Sequence, residues 1–544
     1  MSSIPVDQTS SQTFAFEAAR SFVRTVVFVD DEVYATNQAL SESAPSGEVK
    51  SPETRKHAGK ANPVAEPPHS AEGQENARSE SPFGLREMAD AFANMGIVCA
   101  LHQPKANHPI NQDSAIFKIC DSADICVLDW DMGGDNGAKT IALLAEMADK
   151  RNRSEVPPLQ LVAIYTKRDN LFTVADNILQ GVEKKNSSVE FLAKPFEPGA
   201  STACIDYLMF KTLRVITLGK PGTRKTTILG NREVREADLP ERLIHEFARM
   251  SSGILQSAVI SQMAVVRNRV YELLGRFSTD LDSAFLTHWH LCHRAGAEAS
   301  EHLTPVILSE MESILEDSNI AQEVHRVAKS VLNEKESKAG KPTCPNDGCK
   351  TDIGPDKENK RPRLKDACVL HNDCPLAEHD RFAILLANRT FYDASRILTQ
   401  GTIVKHEFPN NEGSESEYLI CLQPLCDTVR LKNSTSFLFH VLDASKGKGS
   451  VVVQDGTNFI RLYFKPDVAS VRTVSFQPDA QEQCVRATKT SGECDFTFIT
   501  CNSDKFTWQG QLKKDHALRI VNQFASQLAR VGLTESEWLR LLSK

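Results

Sequence analysis

The sequence predicts an α/β protein built on an open, doubly wound parallel sheet, followed by a helical region and an α+β domain. Three observations carry this. Between Thr25 and about Gly219, short continuous apolar runs alternate with stretches of helical spacing, the pattern of parallel strands covered by helices on both faces. Between Ala237 and Leu332, apolar residues recur every three or four positions, as on amphipathic helices. From Asp380 one helical stretch gives way to short strand-like runs and then to two closing helices.

In the first domain, residues 20–219, Val26–Glu32 (VVFVDDE) reads as a buried strand ending in acids. Phe83–Met95 is helical and Ile97–Leu101 is a strand. Ile125–Asp131 (ICVLDWD) is a second buried strand ending in acids, and Thr140–Ala148 is helical. Leu159–Tyr165 is a strand, Asn170–Val182 a helix and Val189–Ala193 the fifth strand. Residues 41–82 interrupt this pattern with six prolines and no Ile, Leu, Met, Phe, Trp, Tyr or Cys. Such a stretch cannot offset the entropy of ordering and reads as a disordered insert. Residues 237–332 form the helical region, 333–379 a cysteine-containing linker, and 380–544 the α+β domain. In that last domain the expected strands are Thr402–Phe408, Tyr418–Leu422, Phe437–Leu442, Val451–Val453, Phe459–Phe464 and Thr497–Thr500, and the closing helices are Lys514–Leu533 and Glu535–Leu542.

The chain has 544 residues, 63 basic and 71 acidic, for a formal net charge of −8. This argues against a nucleic-acid partner over the whole surface while leaving room for one basic face. No run of 18 apolar residues occurs and no secretory signal opens the sequence, so a cytoplasmic protein with no membrane segment is expected. Most of the 14 cysteines then read as reduced, buried thiols.

Five groups gather at the strand ends: Asp30 and Asp31, Asp129, Thr166 and Lys194, the last followed by Pro195. In an open parallel sheet, ligands bind at the carboxyl ends of strands. Acids there can share one Mg²⁺, a cation that takes oxygen ligands. A metal and a lysine would neutralise a phosphoryl group's oxygens, and a hydroxyl would hydrogen-bond one of them. The acid between them would attack as a nucleophile.

These residues resemble the receiver domain of two-component response regulators. VVFVDDE, VLDWDMGGDNG with Gly137, IYT and FLAKPF occur in the family's order. The resemblance implies a flavodoxin-like, five-stranded sheet in which Asp129 is the phosphoacceptor. It implies Mg²⁺ held by Asp30, Asp31, Asp129 and the Asp131 backbone carbonyl. It makes Lys194 the phosphoryl-pairing lysine, Thr166 the hydroxyl that follows the phosphate, and Phe191 the aromatic switch. A cognate histidine kinase is the implied partner. The chain departs from the family at Gly133, where proline is usual, and at Lys167, where a small residue is usual. The alternative is a fold that has kept its shape and lost its chemistry.

Four further signals stand in the sequence. Leu218–Thr226 (LGKPGTRKT) imitates a phosphate-binding loop but has Arg224 where glycine should precede the lysine, so a basic hairpin is the plainer reading. Cys344, Cys349, Cys368 and Cys374, with His371 between the last two, could hold a structural Zn²⁺ or be ordinary thiols. His288, His290 and His293 sit in a helical stretch and read as packed or surface residues. The stretch Leu243–Phe277 could be a coiled dimerisation element or a packed core. It also resembles, with LDSAFLTHWHL and ICLQPLCD, large bacterial proteins with an atypical receiver, as found in the Detocs antiphage defence system. That resemblance implies a phosphate sink or switch rather than an enzyme, with an effector protein as a further partner, while the Leu243–Phe277 stretch leaves room for a homodimer. The competing functions are a regulator whose C-terminal region binds DNA and one whose C-terminal region is catalytic.

Overall fold

The computed structural model describes residues 10–31, 33, 85–105, 109–195, 205–222, 232–294, 300–316, 318–339, 376–391, 395–410, 413–444, 449–489, 495–529 and 540–542. The predicted insert at 41–82, the four linker cysteines and residues 223–226 of the loop-like motif lie outside the described residues. The chain divides into two compact units, residues 1–288 with 299–332, and residues 289–298 with 333–544.

The first unit opens with α1 (Ser10–Phe22) and β1 (Thr25–Val29), followed by α2 (Leu85–Asn94), β2 (Val98–His102), α3 (Ala115–Ser122) and β3 (Ile125–Leu128). Then come α4 (Ala138–Arg153), β4 (Gln160–Thr166), α5 (Leu171–Lys185), β5 (Leu192–Pro195), β6 (Ile205–Phe210) and β7 (Leu213–Gly219). Seven strands form one sheet in the order β2-β1-β3-β4-β7-β6-β5. The pairs β1–β2, β1–β3, β3–β4 and β4–β7 are parallel, and β5–β6 and β6–β7 are antiparallel.

This corrects the five-strand expectation. The fifth parallel strand is β7, not Val189–Ala193. Every residue of β7 is buried, the signature of a strand covered on both faces. β5 is partly exposed and forms, with β6, an antiparallel hairpin that extends the sheet beyond β7. Two apolar cores flank the sheet. One packs Leu143, Met147 and Ile178 under α4 and α5. The other packs Phe92, Leu243 and Phe247 under α2 and α6 (Leu239–Met250). A buried ion pair ties β7 to α6, with Arg214 Nη2 donating to Glu246 at 2.7 Å. Beyond α6 run α7 (Ile254–Arg276), α8 (Asp282–Arg294), α9 (Ser300–Glu316) and α10 (Ile320–Ala339).

Among its described residues the second unit has α11 (Leu376–Ala387), nine strands and α12 (Lys514–Leu528). Seven strands make an antiparallel sheet in the order β13-β10-β9-β8-β16-β15-β14. They are β8 (Thr402–Asn410), β9 (Gly413–Cys421), β10 (Thr435–Leu442), β13 (Val471–Phe476), β14 (Thr488–Lys489), β15 (Phe496–Ile499) and β16 (Lys505–Gln511). β11 (Val451–Asp455) and β12 (Asn458–Leu462) form a separate hairpin. One sheet face packs α12 through Ile520 and Phe524, and the other carries an aromatic cluster of Phe437, Phe439, Phe476, Phe498 and Phe506. No described helix is long and apolar enough to cross a membrane.

Candidate functional site

The site lies where β1, β3, β4 and β7 end together. Parallel pairing in register brings the ends of these strands to one rim. The Asp129 N–H donates to the Val29 carbonyl at 2.8 Å, and the Asp30 N–H donates to the His102 carbonyl at 3.2 Å. These bonds hold the acids just past the strand ends. Carboxylate oxygens of Asp30, Asp31 and Asp129 all lie within 4.8 Å of one another.

The ammonium facing them belongs to Lys220. Its Nζ is 2.8 Å from Asp30 Oδ2 and 3.3 Å from Asp129 Oδ1, on a side chain only 4% exposed. Lys220 directly follows β7, and its N–H donates to the Thr166 carbonyl at 2.9 Å. This corrects the assignment of Lys194. That residue sits in β5, half-buried, paired with Tyr207 of β6. Four strand spacings separate β5 from β3, or about 19 Å at ~4.8 Å each. The physical reason is the hairpin, which moves the first Lys-Pro pair to the sheet edge and leaves the second, Lys220-Pro221, at the rim. The signal for it was present: Leu213–Gly219 (LRVITLG) is a longer apolar run than Val189–Ala193, and it also ends in Lys-Pro.

Phe191, the expected aromatic switch, stands before the edge strand β5 rather than before β7. It is buried in the core, 5.7 Å from Phe210 between ring centroids. Three residues before Lys220 stands Thr217, whose hydroxyl accepts from Arg232 Nη1 at 3.3 Å. Thr166 ends β4 as expected and is buried, its Oγ1 accepting from the Arg168 N–H at 3.2 Å. Lys167 is exposed.

The loop after β3 is shaped by glycines and by Asp135. Asp135 accepts from the N–H groups of Met132, Gly137 and Lys139 at 3.1, 3.2 and 2.8 Å, closing the first turn of α4. Gly137 has φ +87°, and a Cβ there would lie 2.3 Å from the buried Trp130 ring. Gly133 has φ +81°, a value proline cannot reach, which accounts for the absence of the family's proline. The Asp131 carbonyl accepts from the Gly133 N–H at 3.1 Å, and its carboxylate accepts from Arg168 Nη2 at 2.5 Å. Arg168 thus bridges the loops after β3 and β4.

Burial, opposed by Lys220 and reinforced by Asp30 and Asp31, pushes the Asp129 carboxyl up to about 6. Three carboxylates close together offer the hard oxygen donors that suit a divalent cation of the Mg²⁺ type. Asp30, Asp31 and Asp129 are the side chains that would hold it. Nothing described supports Zn²⁺ at the linker cysteines, which lie outside the described residues.

The sheet of this α/β unit thus brings three acids, a hydroxyl and a buried lysine to one rim. Residues 22–195, roughly a third of the chain, match the response receiver domain family. The chain therefore carries a response receiver domain, as a response regulator does. The match ends at Pro195, before the β5–β6 hairpin turns back, and the rim is completed beyond it by β7 and Lys220. No curated protein and no solved structure matches the chain.

Proposed function

We propose that this protein is a phosphoacceptor whose Asp129 takes a phosphoryl group from a histidine kinase. The reading rests chiefly on the Lys220 ammonium, buried between Asp30 and Asp129. An Asp129 oxygen attacks phosphorus, the bond to the donor's phosphohistidine nitrogen breaks, and an aspartyl phosphate is left on the chain. Lys220 turns from the carboxylate to the new phosphoryl oxygens and offsets their charge. The Thr166 hydroxyl, on the adjoining strand end, is placed to donate to another of them. A divalent cation held by Asp30, Asp31 and Asp129 would supply further charge neutralisation on the transferring group.

The setting we infer is a cytoplasmic, bacterial two-component-like system of antiphage defence, with the chain as phosphate sink or switch beside an effector protein. The atypical receiver and the large second unit support that reading through their likeness to the Detocs regulators. The experiment is phosphotransfer from the genomically adjacent kinase with ATP and Mg²⁺. Label should reach the wild-type chain and be absent from a folded Asp129→Ala variant. Label retained by that variant contradicts the assignment. Loss of antiphage protection in the same variant tests the setting.

A further inference from the structure

We propose that α7 and α9 form a homodimerisation element, which closes with the same two helices of a second chain into a four-helix bundle. α7 has two unlike sides. On one, Ser257, Ile260 and Ala264 are buried as the helix packs along α1. From that side Arg267 donates to the Asp124 carboxylate at 2.9 Å and to the Phe22 carbonyl at 3.2 Å. The other side carries Val259, Met263, Val266, Val270, Leu273 and, at the end of the helix, Phe277. Their spacings are four, three, four, three and four residues, an unbroken run of a and d positions of a coiled coil.

Among the described residues this seam is not closed within the unit. Val259 is 48% exposed, Met263 40% and Phe277 37%, while Val266, Val270 and Leu273 are only half-buried. α9 lies beside α7, joined by Arg276 Nη1 to Glu310 Oε2 at 2.5 Å. It adds its own apolar residues: Ile307, Met311, Ile314 and Leu315 are half-buried, and Val306 and Leu308 are exposed. Among the described residues between 265 and 326 none is buried. Helices draw most of their stability from packing an apolar face, and a two-helix layer cannot enclose a core.

A heptad seam fits a helix with the same spacing, and a second copy brings one by symmetry. From Val259 to Phe277 the seam runs about 27 Å at 1.5 Å per residue, and two helices abreast are ~20 Å wide. Such a face gives about 540 Å² per chain and about 1,100 Å² in all, near the lower bound for a stable interface. The surface thus matches a dimer in size as well as in pattern.

Sedimentation equilibrium of the full chain at micromolar concentration tests this. The wild type should have twice the chain mass. The double variant Val266→Glu, Val270→Glu should sediment as a monomer with an unchanged far-ultraviolet circular dichroism spectrum. A monomeric wild type overturns the proposal, and so does a folded double variant that remains dimeric. If the variant does not fold, hydrogen exchange of the wild type decides. Protection of residues 259–277 that falls on dilution supports the dimer. Protection that is unchanged by dilution means that the seam is covered within one chain, and overturns it.

Discussion

The Lys220 ammonium lies 3.3 Å from Asp129 Oδ1. The two residues follow strands that are not neighbours, since β4 lies between β3 and β7. The contact spans the rim, and it makes Lys220 rather than Lys194 the residue whose charge the site depends on.

Lys220→Ala should remove the buried ammonium that faces Asp30 and Asp129. Removing one partner of a buried pair costs about 3–5 kcal/mol. Thermal unfolding should therefore show a large loss of stability without Mg²⁺, and much of it should return with Mg²⁺. Lys194→Ala, on a partly exposed edge strand, should change stability by less than about 0.5 kcal/mol.

Asp129 gives the site a pH dependence of definite sign. Its carboxyl stands at about 6 in the fold against an ordinary value of 3.8. The folded state therefore binds the proton more tightly than the unfolded chain. That stabilisation is present below about pH 4 and is lost as pH rises through 6. At pH 7 the ionised carboxylate costs on the order of 3 kcal/mol. Asp129→Asn should raise the melting temperature at pH 7 without Mg²⁺ and give no gain at pH 3.5. Adding Mg²⁺ should stabilise the wild type more than the variant. Melting curves at the two pH values, with and without metal, check both statements.

Much of the site was legible in the sequence because its acids end strands that are apolar throughout. Ile125–Leu128 and Val26–Val29 are buried at every residue, and the runs show it. The lysine strand is hidden in the sequence for a local reason. Two Lys-Pro pairs follow apolar runs, and only the sheet order tells which run is central. The hairpin between them leaves no periodic signature that separates an edge strand from a buried one. In the second unit, β13 (VRTVSF) and β16 (KFTWQGQ) are too polar to stand out as strands. Their pairing partners supply the regularity that their composition lacks.

Gly137 is irreplaceable for two independent reasons, its φ of +87° and the Trp130 ring 2.3 Å from where a Cβ would lie. Gly137→Ala should destabilise the receiver unit by about 2–4 kcal/mol, combining backbone strain with overpacking. Chemical denaturation, followed by tryptophan fluorescence, should show the midpoint shift.

The buried pair Arg214–Glu246 anchors the lysine strand to α6. Burial works to raise the Glu246 carboxyl, but Arg242, Arg249 and Arg214 outweigh it and hold it below its usual 4.5. Its stabilisation is therefore full above about pH 4.5 and is lost as pH falls through the depressed value. Glu246→Ala should cost about 3–5 kcal/mol at pH 7, less at pH 3, read by urea denaturation.

The most direct measurement of the central claim is Mg²⁺-dependent phosphorylation by a small phosphodonor, read by intact and peptide mass. Wild type and Lys194→Ala should each gain one phosphoryl group on Asp129, while Asp129→Ala and Lys220→Ala should gain none at a comparable rate. Undiminished labelling of Lys220→Ala, or loss of it in Lys194→Ala, would contradict the site described here.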